Sequence, residues 1–391
     1  MTTVARDAAQ WQRHALVAVV VVLLLGMVVT AALTPTAVAS PVASTPARTG
    51  CPVAAPTTAA GFQRMFDARN DLGWSGGDQA ASLRLPDGRT LWVFGDTVLG
   101  REAPDGGYAP GARMVHNSFL LQDRGCLAAV NGPHGGEVVP DARNGDYYWP
   151  LAATHDAGRL VVTVARVRRT GPGALDFRGV GTEAAVFRLA PRGTPRFERM
   201  APLPSTGAPE VRPQYGHALV VDRGHTYVYA SRKVREPLVF GKAVTVARVP
   251  AGRLLDLRQW RYWDGRSWSP RPSDAADVVP AGPSGWSTSF SVLRRPGGRF
   301  QYVTKADDFL GTAVVSGTAA SPQGAFTRVA VASYPSFRRP HEVLYNPLAH
   351  PEQRLSDGSL LVSISRNTTD FALTTADADR YKPQFFAVPW L

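Results

Sequence analysis

The chain has 391 residues, of which 44% are hydrophobic and 19% charged, with 37 Gly and 32 Pro. That much apolar material excludes a wholly disordered chain, and so few charges among so many helix breakers exclude coiled coils and long helical bundles. The net charge is +12, yet 39 of the 43 basic residues are Arg, scattered rather than gathered into a stripe, which argues against a nucleic-acid partner and leaves coding bias or attraction to an anionic envelope.

Residues 1–14 read as a short cytoplasmic tail. Ala15 to Leu33 carries no charge, Arg6 and Arg13 precede it, and the next basic residue is Arg48. This asymmetry directs everything after Leu33 across a membrane. Ala37-Val38-Ala39 fits a cleavage site, and an apolar run of this length also suits an uncleaved transmembrane anchor. Both readings deliver an exported domain, extracellular or held at the outer face of the cytoplasmic membrane. Residues 34–60, rich in Ala, Pro, Thr and Ser, read as a disordered tether. Cys51 near its end and Cys126 are the only cysteines, which suggests one disulfide in an exported protein; two free thiols, or a lipidated Cys51, are the alternatives.

From residue 61 to 391 one pattern recurs: a segment, a Gly-containing turn, then an apolar strand. The turns fall at Gly88, Gly158, Gly224, Gly298 and Gly358, at intervals of 70, 66, 74 and 60 residues. Each copy reads as an antiparallel hairpin. Five copies of this length predict an all-β domain, a five-bladed β-propeller, with an irregular β-sandwich as the alternative. No extended helical pattern follows Leu33.

In a propeller the residues preceding each turn face the axis. They include Asp78; Asp146, Tyr147, Tyr148 and Trp149; Gln214 and His217; Trp286 and Ser287; His350 and Glu352. Carboxylates, imidazoles and aromatic faces converging on one basin suit a polyhydroxylated ligand. Asp78 lies ten residues before Gly88 and Asp96 eight after it, so the hairpin brings both to the same end. Two facing carboxyl groups are what glycoside hydrolysis commonly uses; capping of turns is the competing use of each. Glu352 is a candidate third carboxylate, or a salt-bridge partner for one of many arginines. Trp74, Asn117, Trp149, His217, Trp286, His350 and Glu352 are the candidate sugar-positioning residues. Lys305, Asp307 and Asp308 read as a solvated rim cluster. The histidines lack metal-ligand spacing, so no metal or cofactor is implied, although a channel of oxygens leaves room for a structural calcium ion.

Trp74-Ser75-Gly76-Gly77-Asp78 and Asp87-Gly88-Arg89-Thr90-Leu91-Trp92-Val93-Phe94-Gly95-Asp96-Thr97 resemble a bacterial propeller family. So do His116-Asn117-Ser118-Phe119, Tyr148-Trp149-Pro150 and Ala349-His350-Pro351-Glu352. The family is that of the 4185-type and 5005-type domains of unknown function of exported actinobacterial proteins, and the likeness runs from about Phe66 to Leu391. Some 4185-type relatives are endo-D-arabinanases, and the wider group is similar to five-bladed glycosidases. The resemblance implies a carbohydrate-active funnel in which Asp78 and Asp96 match the family's acidic pair. Relatives often read Ser-Tyr-Asn-Val-Asn on the last strand where this chain has Ser363-Ile364-Ser365-Arg366-Asn367. The two expectations for function are a glycoside hydrolase acting on an arabinan-like or other envelope polysaccharide, and a non-catalytic propeller that binds glycan or an envelope protein.

Overall fold

The five glycines that punctuate the repeat all take positive φ, between 74° and 93°. That region is open to glycine and strained for other residues, so each hairpin bends where the sequence places its Gly. The structure is a computed structural model and describes residues 54–68, 72–173, 175–204, 212–308, 311–334 and 341–391. The expected tail (1–14), apolar segment (15–33), most of the tether and Cys51 lie outside the described residues. Among the described residues no helix is long and apolar enough to cross a membrane, and no cysteine is free. Residues 171–176 fall outside the compact unit formed by 48–170 and 177–391, which holds every strand of the described residues.

The described chain is all-β, with strands joined as successive antiparallel sheets. The first sheet has β2 (Ala81–Arg84), β3 (Thr90–Phe94), β6 (Ser118–Asp123) and β7 (Cys126–Val130) in that order. The second has β8 (Tyr147–Asp156), β9 (Arg159–Arg169), β10 (Phe177–Arg188) and β11 (Arg196–Pro202). The third is built on β12 (Gln214–Asp222), β13 (His225–Arg232) and β14 (Ala243–Pro250), extended by β15 (Arg261–Trp263), β16 (Trp268–Ser269) and β17 (Asp277–Val279). The fourth has β18 (Ser291–Arg294), β19 (Phe300–Lys305), β20 (Ala313–Ala319) and β21 (Val329–Ser333). The fifth has β22 (Glu342–Arg354), β23 (Leu360–Thr368) and β24 (Gln384–Val388). A small sixth sheet, β1 (Trp74–Gly77), β4 (Thr97–Leu99) and β5 (Arg113–Val115), prolongs the first.

Inner strands such as β3 and β19 are buried on both faces because apolar side chains meet between sheets. One core joins the first and second sheets (Val93, Phe119, Val162, Phe187), another the second and third (Val161, Ala184, Val228, Trp260). Further cores join the third to the fourth (Tyr229, Val246, Trp286, Tyr302) and the fourth to the fifth (Val303, Val314, Val362, Ile364). The last joins the fifth back to the first (Trp92, Leu120, Leu361, Phe385). The opening strands β2, β8, β12, β18 and β22 touch in that order, and β22 returns to β2.

Two short helices follow Leu33, where no extended helical pattern is expected. α1 (Ala59–Asp67) starts two residues inside the expected tether. Thr58 caps it by accepting the Gly61 N–H at 3.0 Å, and Phe62, Met65 and Phe66 form one buried face. That face rests on Trp92 and Phe385, with ring centroids 5.1 and 4.9 Å from Phe66. At nine residues the helix is too short for a periodicity signal to stand out, and packing against β24 stabilises it. α2 (Phe371–Ala376) follows β23.

Candidate active site

The β2–β3 hairpin does not continue straight into β1 and β4. Gln79 and Ala80 take φ of 73° and 41°, and this kink separates the first sheet from the sixth. Asp78 and Asp96 flank the break on opposite arms. The Asp78 N–H donates to the Asp96 carbonyl at 3.1 Å, and the Gly95 N–H donates to the Asp78 carbonyl at 3.0 Å. The glycines around them are dictated by space. A Cβ on Gly95 would collide with Asp78 Oδ1, and one on Gly77 would stand 2.9 Å from Thr97 Oγ1.

Each carboxylate has its own donors. The Tyr345 hydroxyl donates to Asp78 Oδ2 at 2.7 Å, and Asn367 Nδ2 donates to the Tyr345 oxygen at 3.3 Å. The Trp149 indole N–H donates to Asp96 Oδ1 at 2.7 Å, and His116 Nδ1 lies 3.3 Å from the same oxygen. His116 in turn stacks on Tyr147, ring centroids 3.8 Å apart, and the Tyr381 hydroxyl donates to the Asp96 carbonyl at 3.0 Å. Asp78, Asp96, His116, Trp149 and Tyr345 each keep some accessible surface, while Tyr147 and Tyr381 beside them are buried. These residues therefore line a depression with Asp78 deep within it.

Burial, and then the negative charge of Asp96, push the Asp78 carboxyl up to about 8, against the opposing Tyr345 hydrogen bond. Burial thus favours the protonated form of Asp78. Burial, and then the Asp78 charge, also hold the Tyr345 phenol well above its ordinary range, so it stays a donor.

Other sequence-selected residues stand elsewhere. Trp74 is buried, 4.9 Å from Phe94 by ring centroids, and its indole N–H donates to Ser118 Oγ at 3.2 Å. Trp286 is buried too, stacked on Tyr302 at 4.3 Å. Both serve the core rather than a ligand face, because neighbouring sheets cover them. Asn117 is fully buried: it accepts the Val139 N–H at 2.8 Å and donates to the carbonyls of Val139 and Tyr148 at 3.0 and 3.2 Å. It fixes the backbone next to Trp149 and does not reach the depression with its own polar atoms.

His217 is buried, 3.3 Å from Ser231 Oγ, and burial pushes its imidazole down to about 4. His350 is fully buried between Ser82 and Ser363, at 2.6 and 2.9 Å, and burial takes it to about 3. Glu352 accepts a hydrogen bond from the same Ser82 hydroxyl, and burial raises its carboxyl. The reason His350 and Glu352 miss the pair is register. β22 is bulged twice, so Tyr345 pairs with Ser365 and Ala349 with Val362. Tyr345 therefore stands level with Asp78, and Glu352 lies seven residues farther along, roughly 20 Å at strand rise. It is no third carboxylate for the pair.

Asp146 turns away as well. Arg166 and Arg168, both at 2.7 Å, hold its carboxyl well below the usual range, with Arg168 contributing most. The expected solvated cluster is instead tied down. Lys305 is buried and donates to the Leu344 carbonyl at 2.6 Å, and Asp308 meets Lys242 at 2.6 Å. Among the described residues no group of three or more His, Cys, Asp or Glu side chains could hold a metal ion.

Sequence reasoning missed Tyr345, Tyr381 and Gln79. Gln79 is buried beside Asp78. Its backbone N–H donates to Ser365 Oγ at 2.9 Å, its side-chain Nε2 to the Leu151 carbonyl at 3.3 Å, and its Oε1 accepts from Ser289 Oγ at 3.1 Å. Tyr345 stands thirteen residues before Gly358 whereas Asp78 stands ten before Gly88, so the bulges in β22 hid it from a count back from the turn.

Comparison with known proteins places the chain. No curated protein matches it by sequence. Among solved structures, a Bacteroides ovatus ATCC 8483 protein described as a "putative hydrolase" is 20% identical, with a TM-score of 0.68 over 84% of this chain and 89% of that one. This likeness is one of fold. The GH43_1 enzyme from Xanthomonas citri complexed with xylose is 15% identical, with a TM-score of 0.47 over 84% of this chain and 93% of its own. CoXyl43, a GH43 beta-xylosidase/alpha-arabinofuranosidase from a compost microbial metagenome, is 14% identical, with a TM-score of 0.46 over 81% and 91%. The family model described as "Domain of unknown function (DUF5005)" matches residues 60–390, and the chain belongs to that family.

Proposed function

We propose that the five sheets are the blades of a five-bladed β-propeller and that the depression around Asp78 and Asp96 is the active site of an exported glycoside hydrolase. The cyclic order of the five cores supports the first part. The pairing of a carboxyl raised to about 8 with a second, accessible carboxylate carries the second part. Asp78, protonated at neutral pH, gives its proton to the glycosidic oxygen as the C–O bond breaks. Asp96 takes the proton of the attacking water or itself attacks the anomeric carbon. Trp149 and His116 hold Asp96 in place, and the half-buried Trp149 ring offers a face to the sugar. The substrate is an arabinan-like or other envelope polysaccharide, reached because the segment Ala15 to Leu33 directs the domain across the membrane, cleaved or retained as an anchor. Cys51 and Cys126 form a disulfide in that oxidising compartment.

The test is release of reducing sugar from mycobacterial-type arabinogalactan and plant arabinan. Wild type should cleave at least one, and Asp78→Asn and Asp96→Asn should each lose about 10²-fold or more while still unfolding cooperatively. Equal rates in the Asn variants would sink the assignment. One observation favours a non-catalytic glycan-binding propeller instead: Asp78 Oδ2 is already engaged by Tyr345, and Oδ1 points into the space above Gly95. On that reading the Asn variants bind glycan like wild type and no product forms with either.

A further inference from the structure

Three arginines crowd the end of β9, and their register separates them. Tyr147 pairs with Val167 and Trp149 with Ala165 across β8–β9, and Arg169 pairs with Phe177 across β9–β10. Side chains alternate between faces along a strand. Ala165, Val167 and Arg169 therefore share the face that carries Tyr147, Trp149 and Phe177. Arg166 and Arg168 turn to the other face, where Asp146 and Glu183 neutralise them at 2.7–2.8 Å.

Arg169 has no such partner. It is exposed, and among the described residues its side chain makes no hydrogen bond or ion pair. It is nonetheless close to the site. Burial and then the charge of Asp96 push the Tyr147 phenol up to about 12, and the Arg169 guanidinium opposes them. Tyr147 stacks on His116, which lies against Asp96. Phe177, 37% exposed, meets Trp149 edge-on at 4.9 Å, and Trp149 donates to Asp96. Opposite Val167 stands Gly179, where a Cβ would meet nothing within 4 Å. The face is thus open at Gly179, two ladder positions from an unpaired guanidinium and a partly exposed aromatic ring.

An exposed arginine alone implies no ligand. Here the alternation leaves Arg169 unpaired on the face that carries Tyr147 and Trp149. We propose that Arg169, Phe177 and the open space at Gly179 form a subsite for the anionic group of an acidic sugar, so that the glycan taken by the Asp78–Asp96 site bears carboxylate or phosphate substituents. The inference rests on the glycan-cleaving reading of that site. A guanidinium binds either anion through two parallel N–H donors, while an aromatic ring packs on the C–H face of the same sugar. A net charge of +12 draws such a polymer in from a distance.

The experiment is calorimetric binding of the full-length chain, in detergent micelles, to two sets of probes. One set holds oligosaccharides of galacturonan and glucuronoxylan and sugar-phosphate oligomers; the other holds the same oligomers with the carboxyls reduced or the phosphates removed. Wild type should prefer at least one acidic probe by about tenfold at low salt, as expected for one charge-assisted contact. Arg169→Gln should abolish the preference, Arg169→Lys should retain part of it, and Arg354→Gln, an exposed control of equal charge change, should retain it fully. Two results overturn the proposal: no acid preference anywhere in the panel, or a preference that survives Arg169→Gln. Cleavage is followed in parallel. Acid-selective binding without cleavage of any probe sinks the hydrolase reading and leaves the subsite. Cleavage of neutral arabinan without acid preference does the reverse.

Discussion

The Tyr345 hydroxyl donates to Asp78 Oδ2 across 2.7 Å although 267 positions separate the two residues in sequence. A hydrogen bond to the charged form lowers a carboxyl pKa, so this contact partly offsets the burial and the Asp96 charge that raise Asp78. Tyr345→Phe removes it without changing the ring. The Asp78 carboxyl should then titrate above its wild-type value of about 8. Carboxyl-carbon NMR titration in both proteins checks the direction; a downward move would contradict the geometry.

The same shift sets two pH dependences. On the proposed reading the protonated Asp78 is the active form, so cleavage should fall as pH rises through about 8. Stability follows the same sign. A carboxyl raised in the folded state contributes fully below its unfolded value near 4 and loses that contribution as pH rises through its folded value. Asp78→Asn escapes the loss. Its melting temperature should match wild type near pH 4 and exceed it at pH 9. A gap that shrinks with rising pH would be inconsistent with a buried, proton-retaining Asp78.

Gly95→Ala should disable the site locally. The new methyl would occupy the position of Asp78 Oδ1, so either the carboxyl rotates or the hairpin arms part. Overpacking of this kind costs about 1–3 kcal/mol. Denaturant unfolding should show a loss of that size, with cleavage reduced about tenfold or more because the displaced group is the proposed acid. Unchanged activity would mean that Asp78 has room it does not have in this structure.

Asn117→Ala tests the backbone clip behind Trp149. It leaves the Val139 N–H and the carbonyls of Val139 and Tyr148 buried and unpaired. At about 1–3 kcal/mol for each unsatisfied group, the total loss should exceed 2 kcal/mol. A loss under 0.5 kcal/mol, the size typical of surface sites, would return Asn117 to the list of ligand contacts.

Trp286→Ala separates core from ligand face in the same way. Removing a buried ring that stacks on Tyr302 should cost about 3–5 kcal/mol. Affinity for glycan in the surviving folded fraction should be unchanged.

The hairpins and the convergence of Asp78 with Asp96 were legible because both depend on counting residues from a glycine whose φ the turn demands. The fifth repeat misleads for a physical reason: bulges in β22 consume residues without leaving a compositional mark, so the repeat sets His350 and Glu352 at the level that Tyr345 holds. Trp74 and Trp286 looked like sugar platforms because an indole suits a core and a ligand face equally. What decides between them is the layer laid over each ring, which is remote in sequence. The departure at 363–367 also reads differently in three dimensions. Asn367 is present and bonds a tyrosine after all, but that tyrosine is Tyr345 of the neighbouring strand.

Gln79 holds the last consequence. Its backbone and amide are bonded at once to Ser365, Leu151 and Ser289, which belong to or directly precede strands of three other sheets. Asp78 is its covalent neighbour and cannot shift alone. Any shift of one of these sheets against the next would strain that hub first and drag the acidic group with it, so a distant loosening would register at Asp78 as a change in proton affinity.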